Sequence, residues 1–227
     1  MIKIFGDCAN LKQMSEFAFK VSGWTTNPSL MRKAGVNSYE VFSKRLIATF
    51  PNIPLSLEVF SDDFDEMDAQ ARKISAWGHN VYVKVPVTNT KGQSAGPLIH
   101  RLCRDGLKVN VTAVFSTSQI DEVFGYLETA PAIVSVFAGR IADTGRNPNP
   151  IILHALRKRA TPLHEILWAS TRQVMDVYIA DAIGCDIITV TPELIDKLPL
   201  EGKNLNEYSL ETVKMFFDDA KAAGYQL

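Results

Sequence analysis

Cysteine is scarce in this chain of 227 residues, and Cys8, Cys103 and Cys185 are odd in number and far apart. With no CxxC or Cys/His spacing, they exclude a disulfide framework and a structural zinc centre. The four histidines, His79, His100, His154 and His164, form no metal-ligand spacing either. An excess of one charge is also missing: 24 basic and 25 acidic side chains leave a net −1. No broad basic field therefore draws nucleic acid or an anionic membrane, and small molecules are the expected ligands. No apolar run approaches the roughly 18 residues of a spanning helix, and the start "MIKIFGDCAN" lacks a basic segment followed by an apolar one. A cytoplasmic protein is expected. Neither GxGxxG nor GxxxxGK[ST] occurs, so no dinucleotide or P-loop site is indicated and no cofactor is expected.

What the sequence does have is alternation. Short β-rich runs at 2–7, 23–27, 54–59, 81–87, 108–114, 133–139, 165–170 and 186–191 are separated by stretches in which apolar residues recur at three and four. Asn10, Asp62, Ser116 and Thr171 mark helix starts, and Gly78, Gly106 and Gly184 mark stops. Eight βα units in this length predict an α/β fold, a single (β/α)8 barrel over 1–227, with residues 208–223 as an additional C-terminal helix. A doubly wound sheet more commonly has five or six strands and a glycine-rich first turn.

Within "VYVKVPV" (81–87) the valines share one strand face, while Tyr82, Lys84, Pro86 and Thr88 share the other. In a parallel barrel one face meets the helices and the other meets the barrel axis, so the valines belong outside and Lys84 inside. The same parity groups Ser56 with Glu58, Asn110 with Thr112, Ser135 with Phe137, Trp168 with Ser170, and Asp7 with Phe5. Most of these positions fall near the C-terminal ends of their strands, where barrels of this kind bind ligands. Lys84, Glu58, Asp7, Asn110 and Thr112 are thus expected to converge on one pocket.

Several charged and polar groups at one height would be costly as mere core filling. A desolvated lysine among polar groups has its pKa lowered toward about 7–8, which leaves free amine to attack a carbonyl. The resulting protonated imine is an electron sink that permits cleavage of a neighbouring carbon–carbon bond without metal or cofactor. Two carboxylates, Asp7 and Glu58, suit the proton transfers this requires. Taken singly, Asp7 also fits as a partner for the start of the helix that follows, and Glu58 as a salt bridge to Lys84.

Read in order, "GDCAN", "TTNPS", "SLEV", "VKVPVT", "VNVTAVFS", "SVFAGRI" and "WASTR" resemble the successive motifs of the transaldolase family, from about residue 3 to residue 195. The length is similar to that of the short subfamily, which also holds fructose 6-phosphate aldolases. The resemblance implies a class I aldol mechanism with Lys84 as the Schiff-base lysine and Asp7 as the acid/base acting on the C4 hydroxyl. It implies that Glu58 and Thr112 hold the catalytic water, and that Asn27, Asn110 and Ser135 bind hydroxyls of the dihydroxyacetone unit. Arg140, Ser170 and Arg172 match its phosphate site, where guanidinium groups meet phosphate oxygens. It also implies a homo-oligomer, pentamer or decamer, built through swapped C-terminal helices.

Fructose 6-phosphate aldolases typically carry glutamine at the Glu58 position and tyrosine at the Phe137 position, so the pair found here resembles transaldolases. The implied activity is transfer of a dihydroxyacetone unit from sedoheptulose 7-phosphate or fructose 6-phosphate to glyceraldehyde 3-phosphate or erythrose 4-phosphate, as in the pentose phosphate pathway. The alternatives are a lyase releasing free dihydroxyacetone and a non-catalytic barrel that binds sugar phosphates. Gly6 and Cys8 depart from the leucine and threonine usual around the first aspartate, and Gly6 is expected to loosen that strand. The segment "ADTGRNPNP" (142–150) matches no motif.

Overall fold

Eight parallel strands close into a barrel in sequence order. They are β1 (Lys3–Asp7), β2 (Gly23–Thr25), β3 (Leu55–Glu58), β4 (Val81–Pro86), β5 (Val109–Val114), β6 (Ala132–Val136), β7 (His164–Trp168) and β8 (Ile187–Val190). The structure is a computed structural model and describes residues 1–227. Each β-rich run of the sequence becomes a strand, most of them shortened at one or both ends and β6 and β7 starting one residue early, and at least one helix follows each of them. This is the expected (β/α)8 architecture.

The strands read as alternating because their two faces meet different surroundings. Val81, Val83 and Val85 are buried beneath the outer helices at 2 % exposure or less, each such side chain contributing about 1.5–3 kcal/mol on burial. Inside, Phe5, Ile133, Leu167, Ala169 and Ile187 form an apolar plug, with Tyr82 and Phe137 packed against it. Asp7, Ser135 and Thr189 each stand two residues beyond a plug residue on the same strand, one step nearer the C-terminal end. Polar groups therefore begin where the plug stops.

The β1–β2 pair shows why Gly6 does not loosen its strand. Register pairs Phe5 with Gly23 and Gly6 with Trp24. A Cβ on Gly6 would lie 2.1 Å from the Trp24 ring, and one on Gly23 would lie 2.7 Å from the Phe5 ring. Each glycine makes room for the aromatic ring opposite, one pair facing the barrel interior and the other facing out. Trp24 is fully buried and also meets Phe50, with ring centroids 5.8 Å apart.

Two expectations about local structure are corrected. Trp168 does not share the inner face with Ser170: Leu167 is in register with Ser135 on one side and Ile187 on the other, which turns Trp168 outward. Ser170 faces inward because it lies past the strand end at φ 66, a left-handed conformation that breaks the alternation. Helix starts differ as well. Asn10 and Ser116 cap as expected, Ser116 in a reciprocal capping box with Gln119. Asp63 rather than Asp62 caps the helix Phe64–Ser75, while Asp62 accepts from the Thr90 backbone and hydroxyl at 2.7 Å each. Thr171 caps nothing; Asp176 accepts the Arg172 and Gln173 amides instead.

All three cysteines are free and buried. Burial pushes the thiols of Cys103 and Cys185 up to about 11 and about 12, so neither is a ready nucleophile. No helix is long and apolar enough to cross a membrane. The barrel forms one compact unit, Met1–Ile195, and Asp196–Leu227 forms a second. In the second, Asn204 caps a helix that runs Leu205–Ala222, beginning before residue 208. This helix exposes Leu205, Leu210, Val213, Met215, Phe216 and Phe217.

Candidate active site at the barrel mouth

Lys84 is centred on the inner face of β4, in register with Glu58 of β3 and Asn110 of β5. The valines that fix β4 against the helices leave its ammonium nowhere to go but the interior, where it is 7 % exposed. Its Nζ sits 3.0 Å from Glu58 Oε2 and donates to the Thr26 carbonyl at 3.1 Å. Both contacts keep a buried cation hydrogen-bonded, the condition for holding it out of water.

Asp7 ends β1 beside it and accepts a hydrogen bond from Thr25 Oγ1 at 2.7 Å. Burial raises its carboxyl above the ordinary 3.8, with Glu58 adding to the rise, while Lys84 and the Thr25 hydroxyl oppose it. A proton is thus held more readily here than on an exposed aspartate.

On the far side a relay runs across three strands. Ser135 Oγ donates to Asn110 Oδ1 at 2.6 Å, and Asn110 Nδ2 donates to Ser56 Oγ at 3.0 Å. Thr112 stands where β5 bulges: the register shifts between Val111 and Val114, and Ala113 adopts φ 60. Bulges re-aim side chains at sheet ends, and Thr112 Oγ1 is buried with no hydrogen-bond partner in the protein. It is ready for a ligand's polar group.

These groups surround a cavity of about 80 Å³ lined by Asp7, Asn27, Lys84, Asn110, Thr112, Ser135, Phe137, Arg140 and Ser170, together with Thr25, Leu167, Ala169 and Thr189. Asn27 reaches it from the cap of the helix Pro28–Lys33, its carbonyl oxygen already taken by the Leu30 amide. Arg140 lies over the Phe137 ring, 5.0 Å from the centroid. A larger cleft of about 510 Å³ lies among the segments following β1 and β2, but inward side chains from several strands converge only on the smaller one.

Two expected residues stand outside the lining. Glu58 reaches it only through Lys84, and Arg172 is held by the Asp143 carboxylate. Arg146, the arginine within the segment 142–150, is exposed. The sequence reading missed four supports: Thr25, Ser56, the Thr26 carbonyl, and Tyr39, whose buried hydroxyl donates to the Glu58 carbonyl at 2.7 Å. Burial raises the Tyr39 phenol, so it remains a donor. Inner-face parity could have found Thr25, and Ser56 was grouped there without a role. Tyr39 lies on a helix and carries no such signal.

The arrangement provides a buried amine between two carboxylates, a row of neutral hydroxyl and amide groups, and a cation at the rim. It can hold a polyhydroxylated anion and move protons around a carbonyl carbon. A family profile described as transaldolase/fructose-6-phosphate aldolase matches residues 4–227. A probable transaldolase of Methanococcus maripaludis is 32% identical over 214 residues, covering 91% of this chain and 95% of that protein. One from Nitrosopumilus maritimus is 36% identical over 202 residues, 87% of each. Among solved structures, 3-hexulose-6-phosphate synthase from Salmonella typhimurium superposes with a TM-score of 0.62 at 15% identity, covering 87% of this chain and 96% of the other. That likeness is one of fold.

Proposed function

The chain belongs to the transaldolase/fructose-6-phosphate aldolase family, and from that premise we propose that it transfers a dihydroxyacetone unit between sugar phosphates through a Schiff base on Lys84. The observation that carries the reading is the burial of Lys84 in ion-pair contact with Glu58, beside Asp7 and Thr112. Donors are fructose 6-phosphate or sedoheptulose 7-phosphate, and acceptors are erythrose 4-phosphate or glyceraldehyde 3-phosphate.

The ammonium first yields a proton toward Glu58, and the amine adds to the ketone C2 of the donor. Loss of the C2 oxygen as water, with proton delivery from the Glu58 and Thr112 side, leaves the protonated imine. Asp7 then takes the C4 hydroxyl proton while the C3–C4 bond breaks, and its electron pair moves into the imine to give an enamine. The aldose phosphate departs. An acceptor aldehyde takes the enamine carbon, Asp7 returns the proton to the new alkoxide, and water hydrolyses the imine to free Lys84. Asn27, Asn110 and Ser135 hold the hydroxyls of the three-carbon unit, and Arg140, Ser170 and Arg172 take the phosphate.

Transfer is favoured over release because Phe137 brings no hydroxyl to the cavity and packs its ring against Phe115, with centroids 5.4 Å apart. Water is then served by fewer polar groups than an enamine-hydrolysing site would offer. The apolar face of the helix Leu205–Ala222 suits burial against further copies of this chain in a homo-oligomer. Product analysis tests the activity: glyceraldehyde 3-phosphate forms from fructose 6-phosphate only when erythrose 4-phosphate is present. Equal turnover without acceptor assigns the chain to the lyases instead.

A further inference from the structure

The segment 142–150, which matched no motif, contains Asp143, the carboxylate that pairs with the Arg172 guanidinium. We infer that Asp143 is a positioning residue of the phosphate site, holding the Arg172 guanidinium in a fixed orientation beside Arg140. The inference rests on the phosphate reading of Arg140, Ser170 and Arg172.

Arg140 and Asp143 stand three residues apart on the short helix Ala138–Asp143, a spacing that puts them on one side of it. Arg172 Nε donates to Asp143 Oδ1 at 3.1 Å, and Nη2 makes a short contact with Oδ2. This fork-to-fork pair uses one edge of the guanidinium and leaves Nη1 free. The main chain on that side is fixed too. Arg172 N donates to Asp176 Oδ2 at 2.8 Å.

The two segments are pressed together at Gly139. A Cβ there would lie 1.6 Å from the Ser170 carbonyl oxygen and 3.3 Å from Arg172 Cγ. The stem of Arg172 therefore runs against the same short helix that carries Arg140 to the cavity. Two guanidinium groups on adjoining segments repel, and a carboxylate on that helix offsets the repulsion while setting the angle of one of them. The pair is about half exposed, 50% and 51% for the two side chains, so as a bare surface ion pair it adds little to stability. Substituting Asp143 should leave the barrel folded.

The test compares Asp143→Ala, Asp143→Glu and Arg140→Ala with the parent enzyme under acceptor-saturated turnover of fructose 6-phosphate. It also measures inhibition by inorganic phosphate and borohydride trapping of unphosphorylated dihydroxyacetone on Lys84. Asp143→Ala is expected to raise KM and the phosphate inhibition constant about fivefold to tenfold, the size of one lost charge-assisted contact. The kcat should stay within about twofold, because the phosphate is held equally before and during the chemistry, and so should the trapping rate, because dihydroxyacetone carries no phosphate; Asp143→Glu should recover part of the affinity. If Arg140→Ala weakens phosphate binding while Asp143→Ala does not, the inference is overturned and the phosphate reading survives. If neither changes it, both are overturned. Equal loss with phosphorylated and unphosphorylated substrates also overturns it, by showing a general structural role.

Discussion

Glu58→Gln keeps the volume of the side chain and removes its charge, leaving the Lys84 ammonium buried without its direct ion-pair partner. The two groups are 3.0 Å apart, with side chains 8% and 19% exposed. At an effective dielectric of about 20, their gross attraction is on the order of 5 kcal/mol. Much of that offsets the cost of desolvating both ions, but removing one partner of a buried pair strands the other, at about 3–5 kcal/mol. For a chain of this size each kcal/mol lowers Tm by about 2–4 °C, so Glu58→Gln should melt roughly 10 °C below the parent. Lys84→Met and the double variant complete a thermodynamic cycle read by thermal and urea unfolding. The account expects a coupling of at least about 1.5 kcal/mol, the double variant being more stable than the sum of the singles implies. Additive effects, or a Glu58→Gln melt within a degree of the parent, would show that the pair does not hold Lys84 in place and refute the reasoning.

Asp7 carries a raised carboxyl, so its contribution to stability is present below the ordinary 3.8 and is lost as pH rises through the raised folded value. Asp7→Asn should therefore raise Tm at neutral pH, flatten that fall, lower kcat/KM by about 10²-fold or more, and remove from the residual activity the acidic limb that in the parent should lie above pH 3.8; an unchanged limb contradicts the assignment. Phe137→Tyr places a phenol beside the cavity and should increase release of free dihydroxyacetone without acceptor, measured enzymatically; no increase removes this position as the discriminator between transfer and cleavage. Gly6→Ala drives a methyl to 2.1 Å from the Trp24 ring, and overpacking of this kind costs about 1–3 kcal/mol. A lower Tm with shifted tryptophan emission is expected, and a melt equal to the parent's would mean the ring has room to move.

The barrel was legible because its strands carry different demands on their two faces. The valines of β4 and the alternating Asn110 and Thr112 of β5 could be sorted inside from outside by counting in twos, and register later put Glu58, Lys84 and Asn110 side by side. Counting failed where the backbone leaves the extended region. Ser170, at φ 66, turns inward out of phase with its strand, so Trp168 was grouped with it and in fact faces the helices. Gly6 was read as loss of stiffness, since a single strand cannot reveal the ring of Trp24 that occupies the missing Cβ position. Tyr39 and Asp143 were invisible for a further reason. Each supports the site from a helix, through a contact formed only when distant segments pack, and no local period marks such a partner.

Reductive trapping addresses the central assignment most directly. The enzyme is incubated with fructose 6-phosphate and borohydride, and the adduct is located by intact mass and peptide mapping. The account predicts one added three-carbon unit, on Lys84, absent from Lys84→Met; an unmodified Lys84 in enzyme that still turns over donor would contradict it.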